Sequence, residues 1–203
     1  MPPETRQRIL DAAARLFHEQ GYAATGISTI LREAGVNAGS LYHFFPNKDA
    51  LLVAVLEYYR DALRPVVMDP PEASTADPIE RIFTLLAWYR DIMVQTGCRL
   101  GCPIGNLALE LSDTHPEIRP LIDVNFRNWA AAIESWLDEA ADRLPPDCDR
   151  GALSRFILTV MEGGLMQARA ADDLGPFDDS VAVLRDHMAR LCADAPTSQE
   201  TRS

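Results

Sequence analysis

Residues 35–48 read GVNAGSLYHFFPNK, and this segment is the most informative part of the sequence about the fold. Asn37 is a favourable N-cap residue, and it opens a segment at 38–43 that is too short to be stable as an isolated helix. The segment persists only if it packs on its neighbours. Small residues crowd its first turn, where backbone amides and the helix dipole favour a phosphate. Such a helix suits insertion into the major groove of DNA.

Two helices precede this stretch. Apolar residues at helical spacing predict the first helix over 5–20, ending at Gly21, and the second over 27–34, ending at Gly35. Thr25 is the predicted N-cap of the second helix. Two short helices joined by a tight turn form a helix-turn-helix. The alternative is a generic helical hairpin in which Leu41 and Phe44 are core and the polar residues are simply solvated.

The remainder of the chain has helical periodicity and no sustained strand pattern, so we predict an all-α protein with about nine helices. Asn47 caps a fourth helix, and the proline-rich stretch 65–78 is expected to be irregular. The expected later helices are 79–95, 104–112, 116–143, 150–170 and 178–193.

The formal net charge of −11 argues, taken alone, against a nucleic-acid partner. Its distribution reverses that argument. The first fifty residues hold five cations and five anions, so the whole net charge lies beyond them. This asymmetry is a hint that the first module meets a polyanion. Solvated acidic helices would produce the same distribution.

No apolar stretch approaches the roughly 18 residues of a membrane span, and no apolar signal-peptide core follows Met1. We therefore expect a cytoplasmic protein without a membrane partner. Glu110 with Asp113 and Asp172 with Asp173 are carboxylate pairs of a kind that helix surfaces produce constantly, so we expect no enzyme and no cofactor.

The N-terminal motifs strongly resemble the DNA-binding domain of TetR-family transcriptional regulators. The matching segments are RILDAA at 8–13, LF at 16–17, GY at 21–22, Thr25, AGV at 34–36, GSLYHFF at 39–45 and NK at 47–48. The resemblance implies three DNA-binding helices at 1–47 and a ligand-binding and dimerisation domain at 48–195, within which 48–64 is a connecting helix. Residues 196–203 are expected to form a disordered tail.

The resemblance also assigns DNA contacts. Thr25, Tyr42 and Lys48, the single lysine of the chain, resemble phosphate-contacting residues. Asn37, Ala38, Ser40 and His43 are candidates for reading bases, Gly39 permits close approach, and Ser28 stands where many relatives carry a charged residue.

Two C-terminal segments resemble family features. GCPIGNLALE at 101–110 resembles a signature of one branch, some members of which respond to reactive or electrophilic small molecules. MEGGL at 161–165 resembles the eighth helix of the family, which with the ninth builds a four-helix dimer interface. The expected interface residues are Gly163, Gly164, Leu184, Met188 and Leu191.

Aromatic and methionine residues of the C-terminal region are candidates for lining an apolar inducer pocket, although this pattern is also typical of plain core. They are Trp88, Tyr89, Met93, Phe126, Trp129, Met161 and Met166. Cys98 and Cys102 are candidates for redox or electrophile sensing, because a thiol near a helix start and beside Arg99 favours the thiolate. The alternative is that both cysteines pack as small apolar residues. Their spacing is a poor match to zinc motifs, so we predict no metal site.

These observations predict a homodimeric, ligand-responsive regulator, most simply a repressor, that binds a palindromic DNA operator and is released by a small-molecule or electrophilic inducer. The competing interpretation is a helical small-molecule carrier or protein-interaction module that keeps the fold without using DNA.

Overall fold

The computed structural model describes residues 3–193, and every regular element within them is helical. Its ten α-helices are α1 (Pro3–Gln20), α2 (Ile27–Ala34), α3 (Ala38–Phe44), α4 (Lys48–Ala62), α5 (Asp69–Ser74), α6 (Pro78–Thr96), α7 (Pro103–Leu111), α8 (Arg119–Glu139), α9 (Arg150–Ala171) and α10 (Gly175–Ala193). The predicted all-α class is confirmed, and the expected tail at 196–203 lies outside the described residues. No helix among these residues is long and apolar enough to cross a membrane.

The expectation of an irregular connection at 65–78 is wrong. A π-helical turn, Leu63–Met68, continues from α4, and α5 follows it directly. Pro70 and Pro71 lie in the first turn of α5, where the missing N–H of proline has no intrahelical partner to lose. Pro65 lies inside the π-helical turn, where the regular i→i−4 bonding is already interrupted. Helix α5 is therefore additional to the nine expected helices.

The chain divides into two compact units. Among the described residues, the first holds 3–62 and 102–126, and the second holds 63–101 and 127–193. Helices α4 and α7 both pack on α1 in the first unit.

In the first unit, the predicted apolar stripe of α1 forms the core. Ile9, Ala13, Leu16 and Phe17 are all buried. Helix α4 adds Leu52, Val55 and Leu56, and Asn47 caps α4 as predicted by accepting the Ala50 N–H at 2.7 Å. Ile30 of α2 and Leu41 of α3 are buried as well, so the core fixes the positions of the three N-terminal helices.

In the second unit, α9 and α10 pack closely along their lengths. Phe177, Leu184 and Met188 of α10 are buried there. Trp136 of α8 is also fully buried, and its Nε1 donates to Glu72 Oε1 at 2.8 Å.

Candidate nucleic-acid interface

The turn between α2 and α3 is held by its own backbone and by α1. Gly35 has φ +62°, in the left-handed region that glycine adopts without strain, and its N–H donates to the Arg32 carbonyl at 3.2 Å. The Arg8 guanidinium donates to the carbonyls of Ala34 and Gly35. A Cβ on Gly35 would lie 2.7 Å from Arg8 Nη2, so a larger residue would displace that guanidinium.

Helix α3 has one buried and one exposed face. Leu41 is fully buried, and Phe45, which follows the helix, is 3% exposed. The opposite face presents four of the predicted contact residues to solvent: Ala38, Gly39, Tyr42 and His43. The Tyr42 side chain is 52% exposed and makes no hydrogen bond within residues 3–193. This face combines close backbone access with hydrogen-bonding side chains, as the major groove requires.

Asn37 is the N-cap of α3, as predicted. Its Oδ1 accepts the Ser40 N–H at 2.9 Å and the Ser40 hydroxyl at 3.1 Å. Ser40 is 9% exposed, so its hydroxyl faces the cap and not the outer face of α3. The expectation that Ser40 reads bases is therefore not supported, because the cap already binds both of its donors.

Thr25 differs from both expectations placed on it. The N-cap of α2 is Gly26, and Thr25 is fully buried, with its hydroxyl donating to Gly21 O at 2.7 Å and Leu16 O at 3.3 Å. The predicted cap is wrong, and a phosphate contact through this hydroxyl conflicts with its burial. The Thr25 hydroxyl is bound within the protein, because it donates to carbonyls at the end of α1 and so closes the α1–α2 turn.

Ser28 and Lys48 lie on the helices that precede and follow α3 in the chain. Ser28 is exposed in the first turn of α2. Lys48 begins α4, and its Nζ donates to the Tyr22 carbonyl at 2.5 Å and lies 4.0 Å from the centre of the Tyr22 ring. Burial lowers the pKa of the Lys48 ammonium, and nearby carboxylates oppose that shift. Because an ammonium has three donors and Lys48 is half-exposed, donors remain for an anion.

Sequence reasoning missed a groove of about 560 Å³ beside the start of α3. The residues lining it are Thr5, Arg8, Leu31, Arg32, Gly35, Val36, Asn37 and Ser40. The sequence signal that could have indicated this groove is the presence of two arginines, Arg8 and Arg32, in a module that carries no net charge.

The residues predicted to line the inducer pocket fall into two groups, one buried in the core and one nearer the surface. Tyr89, Met93, Trp129 and Met161 are buried in the second unit, where the Tyr89 and Trp129 rings lie 5.6 Å apart between centres. Trp88 is half-buried with its ring 4.9 Å from that of Tyr89, and Phe126 belongs to the first unit. Met166 is 52% exposed, so it does not belong with the buried candidates for the inducer pocket. The Trp129 Nε1 is buried and has no hydrogen-bond partner among the described residues.

The residues predicted to form the dimer interface also differ in burial. Leu184 and Met188 are buried within the subunit, so they pack α10 on α9 and do not offer a surface to a second chain. Gly164 is buried, whereas Gly163 and Leu191 are half-buried. An open groove of about 360 Å³ lies beside the glycines, lined by Val160, Gly163, Gly164, Gln167, Asp179, Ser180 and Val183. The large apolar residues exposed on these two helices are Phe156, Met166 and Val183.

The two candidate cysteines lie in different units and different environments. Cys98 follows α6 with φ +56°, and its N–H donates to Met93 O at 2.8 Å. Cys102 is the N-cap of α7, and its Sγ accepts the Gly105 N–H at 3.4 Å. Both side chains are buried. Within residues 3–193, no group of three or more histidine, cysteine or acidic side chains is placed to hold a metal.

Comparison with known proteins supports the same architecture. A family model described as bacterial regulatory proteins, tetR family, matches residues 9–55, and one described as tetracyclin repressor-like, C-terminal domain, matches residues 78–195. The crystal structure of regulatory protein TetR from Rhodobacter sphaeroides has a TM-score of 0.82 at 24% identity and covers 90% of this chain and 98% of its own.

Two relatives from Bacillus subtilis extend the likeness over most of the sequence. The HTH-type transcriptional regulators YxaF and LmrA are each 31% identical, over 175 and 181 residues respectively. Each alignment covers 86% of this chain, with 90% of YxaF and 91% of LmrA. Proteins of this kind are regulators and not enzymes. The chain therefore belongs to the TetR family of helix-turn-helix transcriptional regulators.

Proposed function

We propose that this regulator is a homodimeric repressor that binds a palindromic DNA operator and leaves it when an inducer binds. The observation that carries the proposal is the outward face of α3, which presents Ala38, Gly39, Tyr42 and His43 while Leu41 anchors the helix. Relatives named as transcriptional repressors, DhaR of Mycobacterium sp. and NemR of Escherichia coli, support repression over activation.

Six residues form the proposed contact set. Tyr42, Lys48 and Ser28 contact phosphates or the groove edge, His43 and Ala38 face the bases, and Gly39 allows close approach. Asn37, Ser40 and Thr25 support this set through the cap of α3 and the closed α1–α2 turn. In a dimer, two such helices would meet successive major grooves about 34–36 Å apart.

The experiment is selection of duplexes from a randomised 30-base-pair library by the purified full-length chain, followed by sizing of the complex. We expect an enriched palindrome that binds two chains. Failure to enrich any duplex, with a folded dimer, would favour the alternative of a helical carrier that does not use DNA.

The buried aromatic cluster of the second unit is the proposed inducer site. Tyr89, Met93, Trp129 and Met161 offer an apolar lining, and the buried Trp129 Nε1 is a donor without a partner among the described residues. An unsatisfied buried donor favours a ligand that brings a hydrogen-bond acceptor, such as a carbonyl. An inducer that binds the non-operator conformation more tightly lowers DNA affinity by that difference.

Cys102 is the proposed site of electrophile sensing. A sulfur that accepts an N–H at the start of a helix lies where negative charge is favoured. The side chain is only 3% exposed, so an adduct does not fit without moving the first turn of α7. Modification would therefore change the position of a helix that packs on α1.

Treatment with N-ethylmaleimide is expected to weaken binding of the selected duplex by tenfold or more in the wild-type protein and to leave Cys102→Ser unaffected. Cys98→Ser tests the second candidate. Cys148→Ser is the matched control, because it removes a half-buried thiol that belongs to the second unit and not to the start of α7. Normal release of the duplex by alkylated Cys102→Ser would remove Cys102 as the sensor.

A further inference from the structure

Glu110, in the last turn of α7, binds the turn between α1 and α2. Its carboxylate accepts two backbone N–H groups, from Tyr22 at 2.8 Å and from Ala23 at 2.6 Å. Gly21 lies against the same carboxylate, since a Cβ there would be 3.0 Å from Glu110 Oε2. Gly21 also has φ +86°, so this position favours glycine for its backbone as well as for its size. All of these residues belong to the first unit.

The α1–α2 turn, which Glu110 binds, also contacts the start of α4. The Tyr22 peptide donates its N–H to Glu110, and the Tyr22 carbonyl accepts from Lys48 Nζ at 2.5 Å. The Tyr22 hydroxyl donates to Asp49, the next residue of α4. The Lys48 ammonium also lies over the Tyr22 ring. Glu110 and Lys48 are thus joined through Tyr22, and the Glu110 carboxylate also attracts the Lys48 ammonium directly.

We propose that Glu110 is a positioning residue for operator binding, which holds the α1–α2 turn so that Lys48 meets a DNA phosphate. The inference rests on the proposed phosphate contact of Lys48. It also gives α7 a direct connection to the DNA-contacting surface, because this helix lies within the matched C-terminal domain at 78–195 yet packs in the unit that holds the helix-turn-helix. Charge-assisted bonds to a carboxylate are the strong kind, and two of them restrain a short turn in position and orientation.

The core of this unit does not depend on Glu110. Leu16 and Phe17 of α1 and Leu52 of α4 are buried among apolar side chains, and Thr25 closes the turn independently through Gly21 O. Loss of the carboxylate is therefore expected to free the turn without unfolding the helices that it joins.

The experiment compares Glu110→Ala, Glu110→Gln, Lys48→Met and the double variant Glu110→Ala with Lys48→Met. All are measured on the duplex selected by the wild-type chain, over a series of salt concentrations. Asp113→Asn is the matched control, because it removes one negative charge close to α7 while Asp113 pairs with Arg119 and not with the turn. Thermal unfolding of each variant is recorded alongside.

Glu110→Ala is expected to weaken binding about tenfold relative to Asp113→Asn, and Glu110→Gln, which keeps one acceptor oxygen, to lie between them. The salt slope is the steepness with which the logarithm of the binding constant falls with the logarithm of the salt concentration. Loss of one phosphate contact lowers this slope by about 0.9 per chain, and we expect the same decrease in Glu110→Ala as in Lys48→Met. The double variant is expected to bind no more weakly than Lys48→Met alone. A structural defect unrelated to Lys48 would instead add to the loss.

Three outcomes would overturn the inference. In the first, Glu110→Ala and Glu110→Gln bind the duplex as tightly as Asp113→Asn does, while Lys48→Met lowers the salt slope. This result leaves the proposed function intact. The second is additive losses in the double variant. The third is an unchanged salt slope in Lys48→Met, which removes the proposed phosphate contact itself. If Glu110→Ala unfolds, the comparison of Glu110→Gln with Asp113→Asn decides the matter.

Discussion

Tyr42→Ala is expected to weaken binding of every duplex, selected or random, by a similar factor of about 100. Tyr42 is exposed on α3 and has no hydrogen-bond partner within the described chain, so its hydroxyl is available to a phosphate. A hydrogen bond to a charged phosphate oxygen contributes about 1.5–3 kcal/mol, and a dimer loses two of them. Tyr42→Phe, which removes only the hydroxyl, is expected to reproduce most of the loss. Fluorescence anisotropy with labelled duplexes measures both variants.

His43→Ala is expected to behave differently from Tyr42→Ala. His43 lies on the same exposed face, and its ring packs edge-on against Phe44 with the centres 4.8 Å apart, which limits its orientation. A base-reading side chain loses affinity mainly for the selected sequence, so repeated selection with the variant should relax one position in each half-site. Equal and sequence-independent losses from both substitutions would remove His43 as a reader of bases.

Local chemistry predicted much of the N-terminal module. The helical spacing of Ile9, Ala13 and Leu16 identified a face that is buried, and Asn37 was identified as a cap from residue type and position alone. Both features depend on residues within a few positions of each other. Thr25 failed the same reasoning, because a tertiary core competes for the hydroxyl that a local pattern assigns to a cap.

Long-range features were beyond the reach of the sequence. Glu110 lies 88 positions from Tyr22, and nothing in the spacing of either residue indicates the other. Leu184 and Met188 show a related limit, since periodicity identifies an apolar face but not whether α9 or a second chain covers it. The prolines at 65–71 misled the prediction because their effect depends on which turn of a helix they occupy.

The adjacent glycines of α9 are expected to fail in different ways when each is replaced by leucine. A Cβ on Gly164 would lie 2.9 Å from Phe177 Cδ2 and 3.4 Å from Phe177 Cα, and Phe177 is buried. A Cβ on Gly163 meets nothing within 4 Å. Gly164→Leu therefore forces α10 away from α9 and is expected to lower the free energy of unfolding by about 3 kcal/mol. That loss corresponds to a fall in melting temperature of roughly 6–12 °C for a chain of this size.

Gly163→Leu is expected to keep or slightly raise the stability of the subunit, because leucine is the better helix former by somewhat under 1 kcal/mol. Its side chain enters the open groove that runs beside Val160 and Val183, where the proposed second chain would lie. The variant should therefore remain folded and shift toward monomer, with dimer affinity reduced tenfold or more in sedimentation equilibrium. Both variants are compared at one protein concentration, since dimerisation itself raises the melting temperature. A Gly163→Leu protein that stays fully dimeric would place the dimer interface elsewhere, and a Gly164→Leu protein as stable as wild type would contradict the close packing of α9 on α10.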